Sequence, residues 1–245
     1  MMKQTTECAI SLAGVEVPLA FQFPETKPLF QPYLCPAAGD RMPVSVGEDC
    51  WDRLRALGVE TAPDPREEFH QLIGPVSAFL LEYGRCLFHG AAFLWHGAAW
   101  IITGPSGVGK TTQLLLWQEL FGHEVELING DKPVLECRAD QSVWVHPSPW
   151  NGKEQFSGSK SGKLAGIVLL EQADRNEISR MDLRACMMPV YCQFLYLADH
   201  ENEIRAVGRM QDVLLRNVPV WKLRNRGDRD SAALTHDTLL RCLEG

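Results

Sequence analysis

The chain has 245 residues, 45% of them hydrophobic, and a formal net charge of −7 at pH 7. These values suit one large globular domain, or a main domain with a smaller appendage. The acidic balance argues against nucleic-acid or anionic-membrane partners, because both require basic patches. The eight cysteines form no Cys-x-x-Cys pair, and the first twelve residues lack the apolar core of a signal peptide. We therefore expect a cytoplasmic protein with reduced thiols.

The first third of the sequence is rich in proline and divided into short segments. Residues 8–23 alternate loosely around a glycine and a proline, which predicts short strands joined by turns. Pro65, followed by two acidic residues, starts a predicted helix that runs to about Tyr83 and bends at the Gly-Pro pair inside it. We expect residues 1–84 to form a β-rich N-terminal lobe with a linking helix, and residues 85–245 to form a second domain.

The segments before the middle of the chain predict an unusual connection. Residues 87–92 and 93–97 look like two strand arms of a hairpin that leads directly into the next strand. Parallel nucleotide-binding folds commonly place a helix before each strand instead. The hairpin therefore indicates a sheet that is not purely parallel.

A phosphate-binding loop follows this hairpin. Ala99–Thr103 is a short apolar run that predicts a buried strand, and Thr111–Phe121, which lacks Gly and Pro, predicts a helix. Between them lies the pattern G-x-x-x-x-G-K-[ST], in which backbone N–H groups surround phosphates, the lysine reaches the β- and γ-phosphates, and the next hydroxyl binds Mg²⁺. The residues of this predicted nucleotide site are Gly104, Pro105, Ser106, Gly107, Val108, Gly109, Lys110, Thr111 and Thr112.

The rest of the chain predicts alternating strands and helices around a long polar loop. The loop covers residues 147–163, and its length and its Lys and Ser content suit a mobile active-site lid. The predicted elements are strands at 124–128 and 164–170, a hairpin at 134–146, a helix from 182 to about 195, a strand at 218–224 and a helix from about 231 to 243.

Two acidic residues are candidates for the carboxylate that completes the Mg²⁺ site. Asp131 follows the predicted strand at 124–128, and Glu171 follows the strand at 164–170. We prefer Asp131 because it comes next in the chain after the loop helix and lies in a glycine-containing turn. For either residue, the alternative is an ordinary carboxylate in a surface turn.

Two further residues have chemistry that suits phosphoryl transfer. His89 lies beside Gly90 in an apolar run, where it is either a core histidine or a functional one. Lys153 lies in the Pro-Trp-Asn-Gly-Lys-Glu segment at 149–154, where it can neutralise phosphate charge. The alternative for that segment is an ordinary exposed loop.

Taken in order, these segments resemble the HPr kinase/phosphorylase-like proteins, a bacterial group with the phosphoenolpyruvate-carboxykinase type of nucleotide-binding fold. The phosphate loop is shared by many superfamilies, but the His-Gly segment before it and the Pro-Trp-x-Gly-Lys-Glu segment after it narrow the choice. The resemblance covers about residues 85–225. The matching residues are His89–Ala92, Ile102–Thr112, Leu116-Trp117, Ile128–Pro133, Pro149–Glu154, Ile167–Gln172, Asn176 and Ile178.

The resemblance implies an α/β (α+β) fold with a twisted, mixed or mostly antiparallel sheet. It also implies a kinase that uses ATP and Mg²⁺ to transfer the γ-phosphoryl group to a hydroxyl, typically of serine, in a peptide, protein or small metabolite. The loop lysine and threonine keep their phosphate and metal roles, His89 lines the transfer site, Asp131 is one of an acidic pair, and Lys153 and Glu154 border the acceptor. A homo-oligomer is compatible with the resemblance, which does not determine the oligomeric state.

One departure from the family concerns Gly130. The family usually carries Asp-Asp where this chain has Gly130-Asp131, and one of those acids takes the acceptor proton. Loss of a general base costs about 10²–10⁴-fold in rate, unless His89 or Glu154 replaces it. An alternative is therefore a nucleotide-binding regulatory protein with impaired catalysis, in which Gly130→Asp should raise phosphoryl transfer. A third hypothesis, an ATPase motor that uses Glu171, lacks a second signature such as Leu-Ser-Gly-Gly.

Overall fold

The computed structural model of the chain describes residues 6–37, 39, 41–48, 50–52 and 63–244. The strands are β1 Thr6–Leu12, β2 Val15–Phe21, β3 Leu34–Cys35, β4 Arg85–Phe88, β5 Gly90–Trp95, β6 Ala98–Thr103, β7 Glu126–Asn129, β8 Val134–Cys137, β9 Val143–His146, β10 Gly162–Gln172, β11 Glu177–Arg180, β12 Phe194–Leu195 and β13 Val220–Asn225. The α-helices are α1 Pro65–Gln71, α2 Ile73–Leu81, α3 Lys110–Phe121, α4 Leu183–Tyr191, α5 Glu201–Asn217 and α6 Arg229–Glu244; 3₁₀ helices cover Pro24–Phe30 and Gly122–Glu124.

The strands form one small and one large sheet. The small sheet is antiparallel, with the order β2-β1-β3. The large sheet has the order β12-β4-β8-β9-β10-β6-β5-β7, with β13 beside β10 and β11 beside β13. Strands β6, β10 and β13 run parallel, and the remaining pairs are antiparallel. The mixed α/β class with an additional small sheet is therefore confirmed.

The N-terminal part contains the predicted short strands. β1 and β2 form a hairpin whose turn residues, Ala13 and Gly14, both have positive φ (49° and 76°), as a type I′ turn requires. The predicted single helix is two helices, α1 and α2, which separate at Leu72 rather than at the Gly-Pro pair. Pro75 explains the break, because it has no N–H to donate to the carbonyl of Gln71.

The hairpin that leads into the phosphate loop is confirmed, but its arms were placed wrongly. It consists of β5 and β6, joined by a turn at His96 and Gly97, both with positive φ (49° and 73°). The strand break falls at His89 instead of after residue 92. The backbone N–H of His89 donates to the carbonyl oxygen of Gln193 (2.8 Å), and that of Gly90 donates to the carbonyl oxygen of Asp131 (2.8 Å). The backbone therefore changes its hydrogen-bonding partner between these two residues.

Tryptophan side chains hold the loop strand and the loop helix together. Trp95, Trp100 and Trp117 are nearly fully buried. Trp95 contacts the other two rings edge-on, with centroids 5.7 and 5.2 Å apart, and α3 also packs against α6. Burial of such large rings contributes strongly to stability, so the phosphate loop joins two firmly packed elements.

Helices α4 and α5 cover the face of the large sheet that is opposite to the face covered by α3 and α6. Helix α4 ends at Tyr191, earlier than expected, because Phe194 and Leu195 pair with β4 as strand β12. The long helix α5 was not predicted; it buries Val207, Met210 and Leu214 on one face. Across the part of the chain that the structure describes, every helix is too short or too polar to span a lipid bilayer.

Candidate active site

The phosphate loop connects β6 to α3 through three glycines with positive φ. The values are 143° at Gly104, 78° at Gly107 and 105° at Gly109, a region that glycine occupies without steric cost. A Cβ at Gly104 would lie 3.1 Å from the carbonyl oxygen of Leu170, so this glycine packs against β10. A Cβ at Gly107 or Gly109 would meet no atom within 4 Å. The loop is thus anchored at one end and open above its other glycines, as a phosphate-binding loop requires.

Lys110, the first residue of α3, is only 8% exposed. Its Nζ donates hydrogen bonds to the carbonyl oxygens of Gly104 and Pro105, both at 3.1 Å. Burial lowers the pKa of Lys110, and the nearby Asp131 carboxylate opposes that shift. The ammonium group therefore lies at the centre of the loop, where phosphate oxygens can replace the two carbonyl partners.

A cavity of about 370 Å³ lies against the loop, and we call it the phosphate cavity. Four separated segments contribute to its wall: the β4–β5 junction, the phosphate loop, the turn after β7 and the 149–154 segment. The lining residues are His89, Ser106, Gly107, Gly109, Lys110, Thr111, Thr112, Gly130, Asp131, Gly152, Lys153 and Glu154. Every side chain predicted to act in catalysis thus lies in one cavity.

The side chains of His89 and Asp131 lie next to each other in the wall of the phosphate cavity. The Nε2 atom of His89 lies 3.6 Å from Oδ1 of Asp131, whose other carboxylate oxygen pairs with Lys132. Burial, and then the charge of Lys110, lower the pKa of His89 below its usual 6.5, against the opposing effect of Asp131. This direction of the pKa shift favours the neutral imidazole, which can accept a proton.

Asn129 holds the backbone at Asp131, a role that the sequence did not lead us to predict. Its side chain is fully buried; its Oδ1 accepts from the backbone N–H groups of Asp131 (2.9 Å) and Lys132 (2.8 Å), and its Nδ2 donates to the carbonyl of Ser148 (2.9 Å). The local signal was available, because asparagine commonly bonds to the backbone two residues further on in turns. Its connection to Ser148 was not readable from the sequence.

Gly130 lies where the 149–158 segment packs onto the turn. A Cβ there would lie 2.6 Å from the carbonyl oxygen of Asn151 and 2.9 Å from Cβ of Phe156. The N–H of Gly130 donates to the carbonyl of Phe156 at 2.7 Å. This packing leaves no room for an aspartate, which gives a steric reason for glycine at the position where the resembling family has an acid.

The segment expected to be a mobile lid is anchored on both sides of one turn. Trp150 is 2% exposed and its Nε1 donates to the carbonyl of Phe69 at 2.8 Å. Further along, the N–H of Gly158 donates to the carbonyl of Ile128 at 2.9 Å. The turn at 152–155 between these anchors is largely exposed, so only this turn is positioned to act as a lid.

Gly152 brings Asp131 and Glu154 to the same side of the phosphate cavity. It has a φ of 85°, and a Cβ there would lie 3.2 Å from Cβ of Asp131 and 3.6 Å from Oε2 of Glu154. The two carboxyl groups therefore flank one glycine. Glu154 is thus placed to supply a second carboxylate to the cavity.

Glu171, the alternative acid, does not line the phosphate cavity. Its carboxylate pairs with Lys222 and accepts from Nε of Arg224 at 3.1 Å, both on β13. The hydrogen bond from Lys222 is the main cause that holds the pKa of Glu171 below its usual value. The geometry therefore favours Asp131 as the partner of Thr111.

A larger cavity of about 860 Å³ lies on the other side of the loop, between the end of β10 and helix α4. Pro105, Val108 and Glu171 are among its lining residues. It shares Ser106 and Gly107 with the phosphate cavity. The two cavities therefore adjoin at these two residues.

Thr111 and Asp131, the two residues predicted to hold Mg²⁺, both line the phosphate cavity. Among the described residues no group of three or more His, Cys, Asp and Glu side chains has metal-binding geometry. The Thr111 hydroxyl and the Asp131 carboxylate are oxygen ligands on one cavity wall. Mg²⁺ is commonly held by one or two such ligands, with phosphate oxygens and water completing the shell.

The likeness of this chain to known proteins is limited. No model of a known protein family matches it, and no curated protein matches it in sequence. One solved structure that it matches is that of the Hpr(Ser) kinase/phosphatase from Coxiella burnetii. The match covers 64% of this chain and 90% of that one, with 12% identity and a TM-score of 0.40. This likeness is too weak to indicate a function, so we infer the function from the site itself.

Proposed function

We propose that this protein is a kinase that uses ATP and Mg²⁺ to transfer the γ-phosphoryl group to a hydroxyl, typically of serine, in a peptide, protein or small metabolite. The observation that carries the proposal is the phosphate cavity, where His89, Asp131, Lys153 and Glu154 face the phosphate loop. Binding of a nucleotide alone needs only the loop, whereas transfer needs charged and proton-accepting groups opposite it.

The loop and its neighbours supply the proposed donor site. The loop N–H groups and Lys110 bind the phosphates, and Thr111 and Asp131 would hold Mg²⁺, which neutralises phosphate charge when bound. The larger cavity, with a volume of about 860 Å³, has room for the nucleoside, and it adjoins the phosphate cavity at Ser106 and Gly107.

The proposed reaction forms a bond between the acceptor oxygen and the γ-phosphorus. The bond from that phosphorus to the bridging oxygen breaks, and ADP leaves. The proton of the acceptor hydroxyl passes to neutral His89 or to Glu154, and Lys153 stabilises the charge of the transferring group. Positioning and charge neutralisation contribute more to such transfers than a strong base does.

The motif resemblance also leads us to propose a fold family, a domain division, a cellular location and a set of partners. We assign residues 85–245 to the phosphoenolpyruvate-carboxykinase/HPr-kinase-like fold and residues 1–84 to a separate lobe. We further propose a cytoplasmic protein without nucleic-acid or membrane partners, whose assembly into homo-oligomers is open. The alternative, a regulatory protein with impaired catalysis, rested on Gly130. Packing at Gly130 and the presence of Glu154 in the cavity favour an active enzyme instead.

Nucleotide binding and phosphoryl transfer test the proposal separately. Calorimetric titration with MgATP should show binding to the wild type, which Lys110→Ala abolishes. Lys160→Ala is the matched control, because Lys160 is exposed and pairs with Glu126 outside the cavity. Incubation with γ-labelled ATP and candidate acceptors should then transfer label. Unchanged binding and turnover in Lys110→Ala would refute the proposal, and tight binding without product would favour the regulatory alternative.

A further inference from the structure

A groove of about 680 Å³ shares the lining residues Gly152 and Lys153 with the phosphate cavity, and we call it the side groove. Helix α1 and the turn after the first 3₁₀ helix form one wall. The 149–157 segment forms the other. Residues of its lining that matter here are Tyr33, Arg66, Phe69, His70, Lys153 and Ser157.

The phosphate cavity adjoins both the side groove and the larger cavity. It shares Ser106 and Gly107 with the larger cavity and Gly152 and Lys153 with the side groove. In a phosphoryl transfer the attacking and leaving oxygens lie roughly in line on opposite sides of the phosphorus. If the nucleoside occupies the larger cavity, the side groove offers the acceptor an approach through a separate cavity.

The side groove has cationic side chains and no acidic ones among its described lining residues. Arg66 and Lys153 are the cationic residues of its lining, and the imidazole ring of His70 is a further polar group there. Neither Arg66 nor Lys153 forms an ion pair with any described residue. The nearby carboxylates of Asp64 and Glu67 accept hydrogen bonds within α1. In a protein of net charge −7, such a groove favours an anionic ligand.

The mainly polar lining of the side groove includes aromatic and aliphatic side chains that can contact a peptide. Tyr33 and Phe69 offer aromatic surface, and Leu29, also in the lining, is 38% exposed. The Tyr33 hydroxyl lies 3.4 Å from Oγ of Ser157, which connects the two walls. Peptide-binding grooves likewise combine apolar contacts with fixed polar groups.

We infer that the side groove binds an extended acceptor peptide whose hydroxyl-bearing residue is flanked by aspartate or glutamate. The hydroxyl enters the phosphate cavity past Lys153, and the acidic side chains contact Arg66 and His70. This inference rests on the proposed kinase function and adds the class of acceptor to it.

Charge reversal at Arg66 tests this inference. Arg66 is the second residue of α1, where an acidic side chain suits the helix N-terminus, so Arg66→Glu should fold. Arg184→Glu is the matched control, because Arg184 is exposed and is the second residue of α4. The measurement is kcat/KM for short serine peptides with acidic, neutral or basic flanks. Arg66→Glu should lower kcat/KM for acidic peptides about tenfold and reverse the preference, whereas Arg66→Lys and Arg184→Glu retain it.

Direct binding keeps the inference testable without turnover. Fluorescence anisotropy with a labelled acidic serine peptide should show binding that weakens with added salt and with Arg66→Glu, but not with Arg184→Glu. Equal binding of acidic and basic peptides, or phosphorylation of small anionic metabolites but of no peptide, would overturn the inference. A wild-type protein that does not bind MgATP would instead refute the proposed kinase function. Failure of the peptide inference and failure of the kinase proposal therefore give different results.

Discussion

Replacing Gly130 with alanine tests how the site is assembled. A Cβ there would lie 2.6 Å from the carbonyl oxygen of Asn151 and 2.9 Å from Cβ of Phe156, well inside the usual contact distance of about 3.5–4.0 Å. The carbonyl of Phe156 also accepts the hydrogen bond from the Gly130 N–H. A shift of Phe156 away from the added methyl group would therefore break this hydrogen bond. Overpacking of this kind costs about 1–3 kcal/mol. At about 2–4 °C per kcal/mol for a chain of this size, we expect Tm to fall by about 2–12 °C.

Thermal unfolding with and without MgATP measures this effect, and Gly208→Ala is the control. Gly208 lies within α5, and a Cβ there would meet no atom within 4 Å, so alanine should stabilise the protein by up to about 1 kcal/mol. Gly130→Ala should also lower phosphoryl transfer, because the displaced segment carries Lys153 and Glu154. A Gly130→Ala protein with wild-type Tm and turnover would refute this packing. Gly130→Asp should be worse still, and a gain of transfer there would support the regulatory alternative.

Three further predictions concern pH, anchoring and a buried charge. If His89 is the residue that accepts the proton, the transfer rate should persist as pH falls through 6.5 and decline only at lower pH, because burial lowers the pKa of His89 below 6.5. His89→Gln should remove that acidic limb from the pH–rate profile. Trp150→Ala should destabilise the protein by about 3–5 kcal/mol in denaturant unfolding, whereas Trp150→Phe should cost clearly less. Burial raises the pKa of Glu136, but hydrogen bonds from Arg138 and His146 and nearby arginine charge hold it below its usual 4.5. The stability it contributes should therefore be present above pH 4.5 and lost as pH falls through the folded pKa. Chemical denaturation across pH should show that loss in the wild type and a flatter profile in Glu136→Gln.

Regular local patterns explain why many elements were predictable. The strand before the phosphate loop and the helix after it are continuous segments with clear apolar patterns, and both occur within a residue of their predicted limits. Helix α5 was missed although its buried residues Val207, Met210 and Leu214 have helical spacing. Strand β11 has mostly exposed residues, so it offered little signal.

The sequence by itself predicted the phosphate loop, because all of its groups come from consecutive residues and their backbone conformation depends on local glycines. The tertiary structure decided which distant groups face that loop. The strand break at His89, the Asn129 side chain and the packing of 149–158 onto Gly130 each depend on contacts between segments far apart in the chain. Such contacts arise only when the sheet registers are formed, and no local periodicity encodes them.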